Sequence, residues 1–364
     1  GKSVTAQSIL RLIQPPGRIV GGSIRIHGKA GEAPLEVLEE AEDSEALYEL
    51  RGGRAALIFQ EATAALSPVH SIGHQILESI LTHRRRLSKA GRRLRQRDAE
   101  RIAIQLLGRV GIVDPELCMR QYPHELSGGM RQRALIAMAL VTEPELLIAD
   151  EPTTALDARI QAQILALLKQ LQARLALSIL LITHDLGVVA QMADEVAVMY
   201  LGRIVESGSV RGVLKKPRHP YTMGLIASLP SSTPIGQPLP NIPGTVPALS
   251  DVPQGCPFHP RCSHALPGRC NTGTPPPLER FGAASAGPPP DTRRLASQPP
   301  ALADDRSVAC FRVRDIALER LLRGSEAPPG DARPSLAPPS DAARTEGNRR
   351  DPDGEALPSE RVSA

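Results

Sequence analysis

The chain is short of aromatics. Phe, Tyr and Trp make up 2% of its 364 residues, with four Tyr, four Phe and no Trp. Any core it buries must therefore be aliphatic. Long apolar runs are missing as well: none approaches the roughly 18 residues of a membrane span, so no transmembrane helix is expected. The N-terminus has neither a signal-peptide pattern nor a leading Met, and reads as a fragment, a processed product or a mistaken start. An excess of one charge is lacking too. Lys+Arg 43 against Asp+Glu 39 leaves +4, without the concentrated basic face that nucleic-acid binding uses. The densest basic stretch, RRRLSKAGRRLRQRDAER at 84–101, reads as a solvated helical face and loop. The alternative there is a contact with phospholipid headgroups or another subunit.

What is present is a sizeable apolar content, 41%, arranged with period. GKSVTAQSILRLI opens as the end of a phosphate-binding loop running into a helix through Ile13. A Pro-Pro-Gly turn follows, then a short alternating strand, GSIRIHGK. Residues 31–54 are acidic and weakly patterned and are expected at the surface. AALIFQ at 55–60 reads as a strand. Ala103, Leu106, Leu107 and Val110 recur at helical spacing. RALIAMAL is a buried helix and ELLIAD at 145–150 a buried strand. A helix follows with Ile160, Ile164, Leu167, Leu168, Leu171 and Leu175 on one face and Asp157 as its cap. SILLIT at 178–183 and EVAVMY at 195–200 are expected as second and third buried strands. Apolar strands alternating with helices indicate an α/β fold with a parallel sheet covered on both faces.

Several motifs fall at strand ends, where such sheets bind ligands. LLIADEP ends a strand on two adjacent carboxylates. Asp150 can hold Mg²⁺ through water, and Glu151 can orient and deprotonate an attacking water. In LSGGMRQR, Ser127, Gly128 and Gly129 precede a helix, and the glycines let backbone N–H groups approach an anion. ALD at 155–157 follows the carboxylates. ITHD places His184 just past a strand, within reach of a γ-phosphate and its water. Gln60, at another strand end, can reach the metal and the water.

In order, these motifs are Gly-Lys-Ser, Gln, Leu-Ser-Gly-Gly, Asp-Glu, Leu-Asp and His. Over residues 1–230 the chain resembles the ATP-binding cassette family, the ATPases of ABC transporters. The resemblance implies a P-loop NTPase of the ABC type, with a RecA-like parallel-sheet core and a helical signature subdomain at about 62–135. It implies that Gly1, Lys2 and Ser3 end the nucleotide loop, with Lys2 on the β/γ-phosphates and Ser3 on Mg²⁺ beside Asp150 and Gln60. It makes Gln60 the Q-loop residue, Glu151 the catalytic base and His184 the switch histidine. Asp157 then faces a partner cassette, whose bound ATP is capped by Ser127, Gly128 and Gly129. ATP is sandwiched between two cassettes, and catalysis is positioning and electrostatic stabilisation.

KKPRHPYTMGLIASLP at 215–230, then PGTVPAL, GCPFHPRC and VAC, resemble the ATP-binding subunits of oligopeptide and dipeptide importers, a subgroup that also holds nickel and glutathione importers. Four of the five cysteines, Cys256, Cys262, Cys270 and Cys310, fall in this part. Their spacing lacks the C-x2-C pairs of zinc ribbons, and four thiolates can hold zinc or an iron–sulfur cluster. The subgroup implies a 4Fe-4S cluster, structural rather than redox; zinc and the absence of metal stay open. His259 and His264 are not expected as ligands, and Cys118 is expected to be an inert, semi-buried thiol.

The organisation expected is a cassette at 1–230, a Cys-containing extension at 231–324 and a disordered tail at 325–364. The function implied is an ATP-hydrolysing subunit that energises a peptide-type importer from the cytoplasmic face of the membrane. Nickel or glutathione import, or an inactive truncated cassette, are the alternatives. The partners implied are a second cassette, more often a paralogue than another copy, two permease subunits and, indirectly, a substrate-binding protein. Nucleic acid is not among them: one cassette is present, and only 65 residues separate Gln60 from Leu126, too few for the long insertion of cassette proteins that act on ribosomes or DNA. The strand and glycine-rich front of the phosphate loop, and the aromatic that stacks on adenine, are absent. This chain is therefore expected to bind ATP poorly and hydrolyse it slowly. Glu61-Ala62 stands where the family has Asp-Pro after the glutamine.

Overall fold

The computed structural model describes residues 1–28, 32–60, 65–83, 87, 94–154, 156–230, 236–280 and 306–316. All lie in one unit, Gly1–Glu319. The expected tail, Glu61-Ala62 and half of the arginine-rich stretch lie outside the described residues.

The centre is a parallel sheet of β3 (Ala55–Ile58), β4 (Leu146–Asp150) and β5 (Ser178–Ile182), in that order. Ala56 pairs with Leu147, and Asp150 with Ile182. Successive side chains point to opposite faces, and two separate cores result. Ala56, Ile58 and Leu147 face one core with α3 (Ile72–Thr82), α4 (Gln96–Arg109), α5 (Pro115–Arg120), α6 (Gly128–Ala139) and α7 (Ala158–Leu175). Ala55, Ile148 and Ile182 face the other, with α1 (Lys2–Ile9) and α2 (Glu45–Leu50). Among the described residues neither of these cores contains an aromatic side chain. A third buried cluster does, with Tyr200 and Phe258 packed among Val198, Val205 and Val213, so the expectation of a wholly aliphatic core does not hold.

Side-chain caps fix the helix starts. Ser44, Ser71, Asp114 and Ser127 each accept an N–H three residues on. Asp157 accepts from Arg159 N and Ile160 N, so the expected cap of α7 is found.

Four local readings change. SILLIT forms the parallel strand β5 but is not buried throughout: Ser178 and Leu180 are exposed, and only Ile182 is buried. The first helix stops at Ile9, and the strand after it is only β1 (Arg25–Ile26), paired with β2 (Leu35–Glu36). Residues 31–54 are not simply surface: Val37, Leu47 and Leu50 are fully buried and carry α2 into the second core. EVAVMY forms β6 (Glu195–Tyr200), but it is not a third parallel strand. It pairs antiparallel with β7 (Arg203–Ser209) through a two-residue turn, with Leu201 at φ 45° and Gly202 at φ 77°. Positive φ at both turn positions matches the twist of a hairpin.

That second sheet runs β6-β7-β9-β8. Its last members, β8 (Glu279–Arg280) and β9 (Ser307–Val308), come from the expected extension. Between β5 and β6 lies α8 (Leu186–Met192); α9 (Val210–Lys215) and α10 (Pro220–Ala227) follow β7. Four of the eight aromatics collect here. Tyr200, Tyr221 and Phe258 pack with ring centroids 4.7 to 5.4 Å apart. Among the described residues no helix is long and apolar enough to cross a membrane.

Candidate functional site

Four chain segments meet at the Glu151 carboxylate. Glu151 follows β4 at φ 48°, a left-handed conformation that costs a non-glycine residue on the order of 1 kcal/mol. Its N–H still donates to Ile182 O at 2.9 Å, which holds the turn to the end of β5. On the side chain, His184 Nδ1 lies 3.2 Å from Oε1 and Lys2 Nζ 4.0 Å from the same oxygen. Gln60 Nε2 donates to Oε2 at 3.4 Å and Thr154 Oγ1 at 3.0 Å. Burial tends to raise the pKa of Glu151. The Thr154 hydroxyl, the His184 hydrogen bond and charge, and the Lys2 charge outweigh it, and the net direction is downward. The group is held as a carboxylate, able to accept a proton.

Lys2 and Ser3 are the first residues of α1, directly after Gly1. The leading N–H groups of a helix have no partner within it and favour anions. Lys2 Nζ also donates to Thr183 O at 3.2 Å, so it reaches across to the end of β5. Asp150 is 7% exposed at the end of β4, and its Oδ1 is buried with no hydrogen-bond partner. A buried, unpartnered carboxylate oxygen beside an open sheet edge suits a hydrated divalent cation. Two participants were missed from sequence, Thr154 and Thr183. The turn EPTTALD, with a hydroxyl three residues after a carboxylate, carried the signal for the first. Nothing local marked the second, which contributes through its backbone oxygen.

The other expected residues gather elsewhere. Ser127 caps α6 by accepting from Met130 N at 3.3 Å, so Gly128 and Gly129 open the helix rather than precede it. A Cβ on Gly129 would lie 2.8 Å from Ile160 Cγ2, and one on Gly128 3.3 Å from Leu156 Cδ2. Ser127–Gly129 thus pack on the start of α7 beside Asp157. None of them bonds to Lys2, Glu151 or His184.

The four late cysteines line one small cavity together with Phe258 and His219. All five cysteines of the chain are free thiols. Backbone N–H groups favour the thiolate of three of them from two residues on: Phe258 for Cys256, His264 for Cys262 and Arg312 for Cys310. Leu266 N donates to Cys270 Sγ at 3.4 Å. Burial, then repulsion among these sulfurs, pushes Cys310 up to about 12, and Cys256 and Cys262 also move upward. Among the described residues no group of three or more His, Cys, Asp or Glu side chains stands close enough to hold a metal ion. Cys118 is fully buried in the first core, and burial pushes its thiol up to about 11.

The ABC transporter family model matches residues 1–154, and that of the oligopeptide/dipeptide transporter C-terminal region matches residues 205–270. A Brucella melitensis protein named for peptide import and ATP binding is 50% identical over 283 residues, 76% of this chain and 80% of its own. The oligopeptide transport ATP-binding protein OppD of Bacillus subtilis is 49% identical over 268 residues, 73% of this chain and 70% of its own. The dipeptide transport ATP-binding protein DppD of the same organism is 45% identical over 73% of this chain and 75% of its own. Among solved structures, the ATP-binding cassette MJ0796 is similar with a TM-score of 0.47, at 24% identity, covering 58% of this chain and 81% of its own.

Proposed function

The chain belongs to the ABC transporter ATPases, in the oligopeptide and dipeptide import group, and on that premise we propose which of its residues carry the chemistry. It is the ATP-binding and ATP-hydrolysing subunit of a peptide-type importer, and membrane permease subunits are its partners. Glu151 is the general base. It accepts the proton of the attacking water, and Gln60 and Thr154 fix the direction of its second oxygen. His184 holds the first oxygen and reaches toward the γ-phosphate. Lys2 and the opening N–H groups of α1 take the phosphate charge. Mg²⁺, when bound, neutralises charge on the phosphate oxygens. Asp150, Ser3 and Gln60 are the residues that would hold it.

The observation that carries this reading is the meeting of Lys2, Gln60 and His184 on one carboxylate from separate segments. Glu151→Gln keeps the shape and removes the base. Phosphate release should fall about 100-fold or more, while the affinity for a fluorescent ATP analogue changes little. Unchanged turnover would sink the assignment.

Ser127, Gly128, Gly129 and Asp157 serve a facing cassette, and the lack of any bond from them to Lys2, Glu151 or His184 supports that role. A paralogue is the partner proposed, at the cytoplasmic face of the membrane, with a substrate-binding protein acting through the permeases. Peptide is the substrate class; nickel and glutathione stay the narrower alternatives. The division into a cassette at 1–230, with its helical subdomain at about 62–135, an extension at 231–324 and a tail at 325–364 is retained as part of the proposal.

For the cysteines we propose a 4Fe-4S cluster. Four sulfurs around one cavity, each with a hydrogen bond from a backbone N–H, support it. A single zinc would need all four sulfurs about 2.3 Å from one point, whereas a cluster spreads its ligands over four irons. Anaerobically purified protein should contain about four irons and four sulfides per chain by this stoichiometry; zinc at one per chain would replace the proposal.

A further inference from the structure

Three of the cavity cysteines are local. Cys256, Cys262 and Cys270 lie within one knot, in which Cys256 N donates to Cys270 O at 2.9 Å and Cys262 N to His259 O at 3.2 Å. The fourth, Cys310, comes 40 residues later. Arg269 Nη2 donates to Phe311 O at 2.7 Å and Arg312 Nη1 to His264 O at 2.8 Å, so the knot holds the chain after Cys310 but not the chain before it. Cys310 follows β9, which is two residues long and too short to hold itself. Val308 pairs with Glu206 and Ser307 with Ser207 on β7, and Ala309 N donates to Val205 O at 2.9 Å.

Two buried charges sit at this junction. Arg306, 5% exposed, precedes β9, and its Nη1 donates to Gly212 O at 2.9 Å and to Lys216 O, at the end of α9. Its stem crosses Gly208, where a Cβ would lie 2.5 Å from Arg306 Cγ. Glu206 is fully buried on β7 and accepts from Arg218 N at 2.8 Å and His219 N at 3.0 Å. Those N–H groups begin α10, whose His219 and Pro220 form part of the cavity wall. Burial raises the pKa of Glu206; its hydrogen bonds and the Arg306 charge oppose that rise. One carboxylate and one guanidinium therefore tie together the strand before Cys310, the edge of β7 and the wall of the thiol cavity.

We propose that the ATPase cassette places the fourth cysteine: Glu206 and Arg306 are positioning residues that dock β9 on β7 and deliver Cys310 to Cys256, Cys262 and Cys270. The consequence for metal content rests on the cluster reading above; the docking does not. Because coupling is reciprocal, a ligand held by all four sulfurs pins the β7–α10 corner in return.

The test is alkylation of each cysteine by iodoacetamide, followed by mass spectrometry on the reduced, chelator-treated full chain. Cys118, buried in the cassette core, is the internal gauge of global opening. Arg306→Met and the near-isosteric Glu206→Gln should each speed labelling of Cys310 on the order of tenfold, with Cys118 still unlabelled. Arg306→Lys, which keeps the charge, should fall in between. After anaerobic reconstitution, iron per chain and the visible charge-transfer band should fall in the same order. Unchanged Cys310 labelling in both neutral variants overturns the proposal. So does equal acceleration at Cys118, which would make the pair a support of the whole fold. Wild-type protein without iron and sulfide, but with the expected labelling, sinks the cluster reading and leaves the positioning role standing.

Discussion

At the scale of single residues, Glu151 and Gly129 show two ways a position can be constrained. Glu151 accepts an unfavourable backbone conformation because its N–H completes the pairing with Ile182 O, and the turn aims its carboxylate at Lys2 and His184. Gly129 is constrained by space. A Cβ there meets Ile160 Cγ2 at 2.8 Å, at the base of a branched side chain that cannot swing away. Gly129→Val should lower stability by about 1–3 kcal/mol through overpacking, read as a lower urea midpoint at an unchanged slope. A midpoint equal to wild type would mean that α6 and α7 separate without cost. Ser127 was legible from sequence as a helix start. The reason for the second glycine was not, because Ile160 lies 31 positions away in the chain.

Elements were legible in proportion to how local their causes are. The cap at Asp157 and the apolar face of α7 are set within one helix, and both are found as read. Asp157→Ala removes the acceptor for two N–H groups and should cost about 1 kcal/mol of stability. Asp157→Asn should recover most of it, as a calorimetric comparison of melting temperatures would show. Equal loss in both variants would move the importance of Asp157 from the cap to its charge. β6 was misread because apolar content alone does not distinguish a parallel strand from a hairpin arm. Its turn uses Leu201 where Asn, Asp or Gly usually marks positive φ, so the local signal was missing. α2 was missed because two buried leucines, Leu47 and Leu50, are too few to set a period.

Across the whole molecule, β4 divides two aliphatic cores, and Tyr200, Tyr221, Phe258 and Phe311 gather where β6 and β7 meet the cysteine-bearing segment. The aromatic poverty of the chain agrees with the two cores flanking the parallel sheet, but not with the third cluster around Tyr200 and Phe258. By itself the sequence determined the order of the motifs, the residue types at each strand end and the starts of α1, α6 and α7. These follow from periods and caps spanning a few residues, and together they sufficed to indicate the family. Only the tertiary structure decided that Lys2, Gln60 and His184 share one carboxylate, and that Cys310 joins three cysteines from far along the chain. Gln60 and Glu151 are 91 positions apart, and Lys2 and Thr183 are 181. Parallel strands in register bring the ends of β3, β4 and β5 to one edge, and a two-residue strand held by Arg306 and Glu206 brings in Cys310. No local pattern encodes such meetings, because they depend on which buried faces pack together and which strand edges pair.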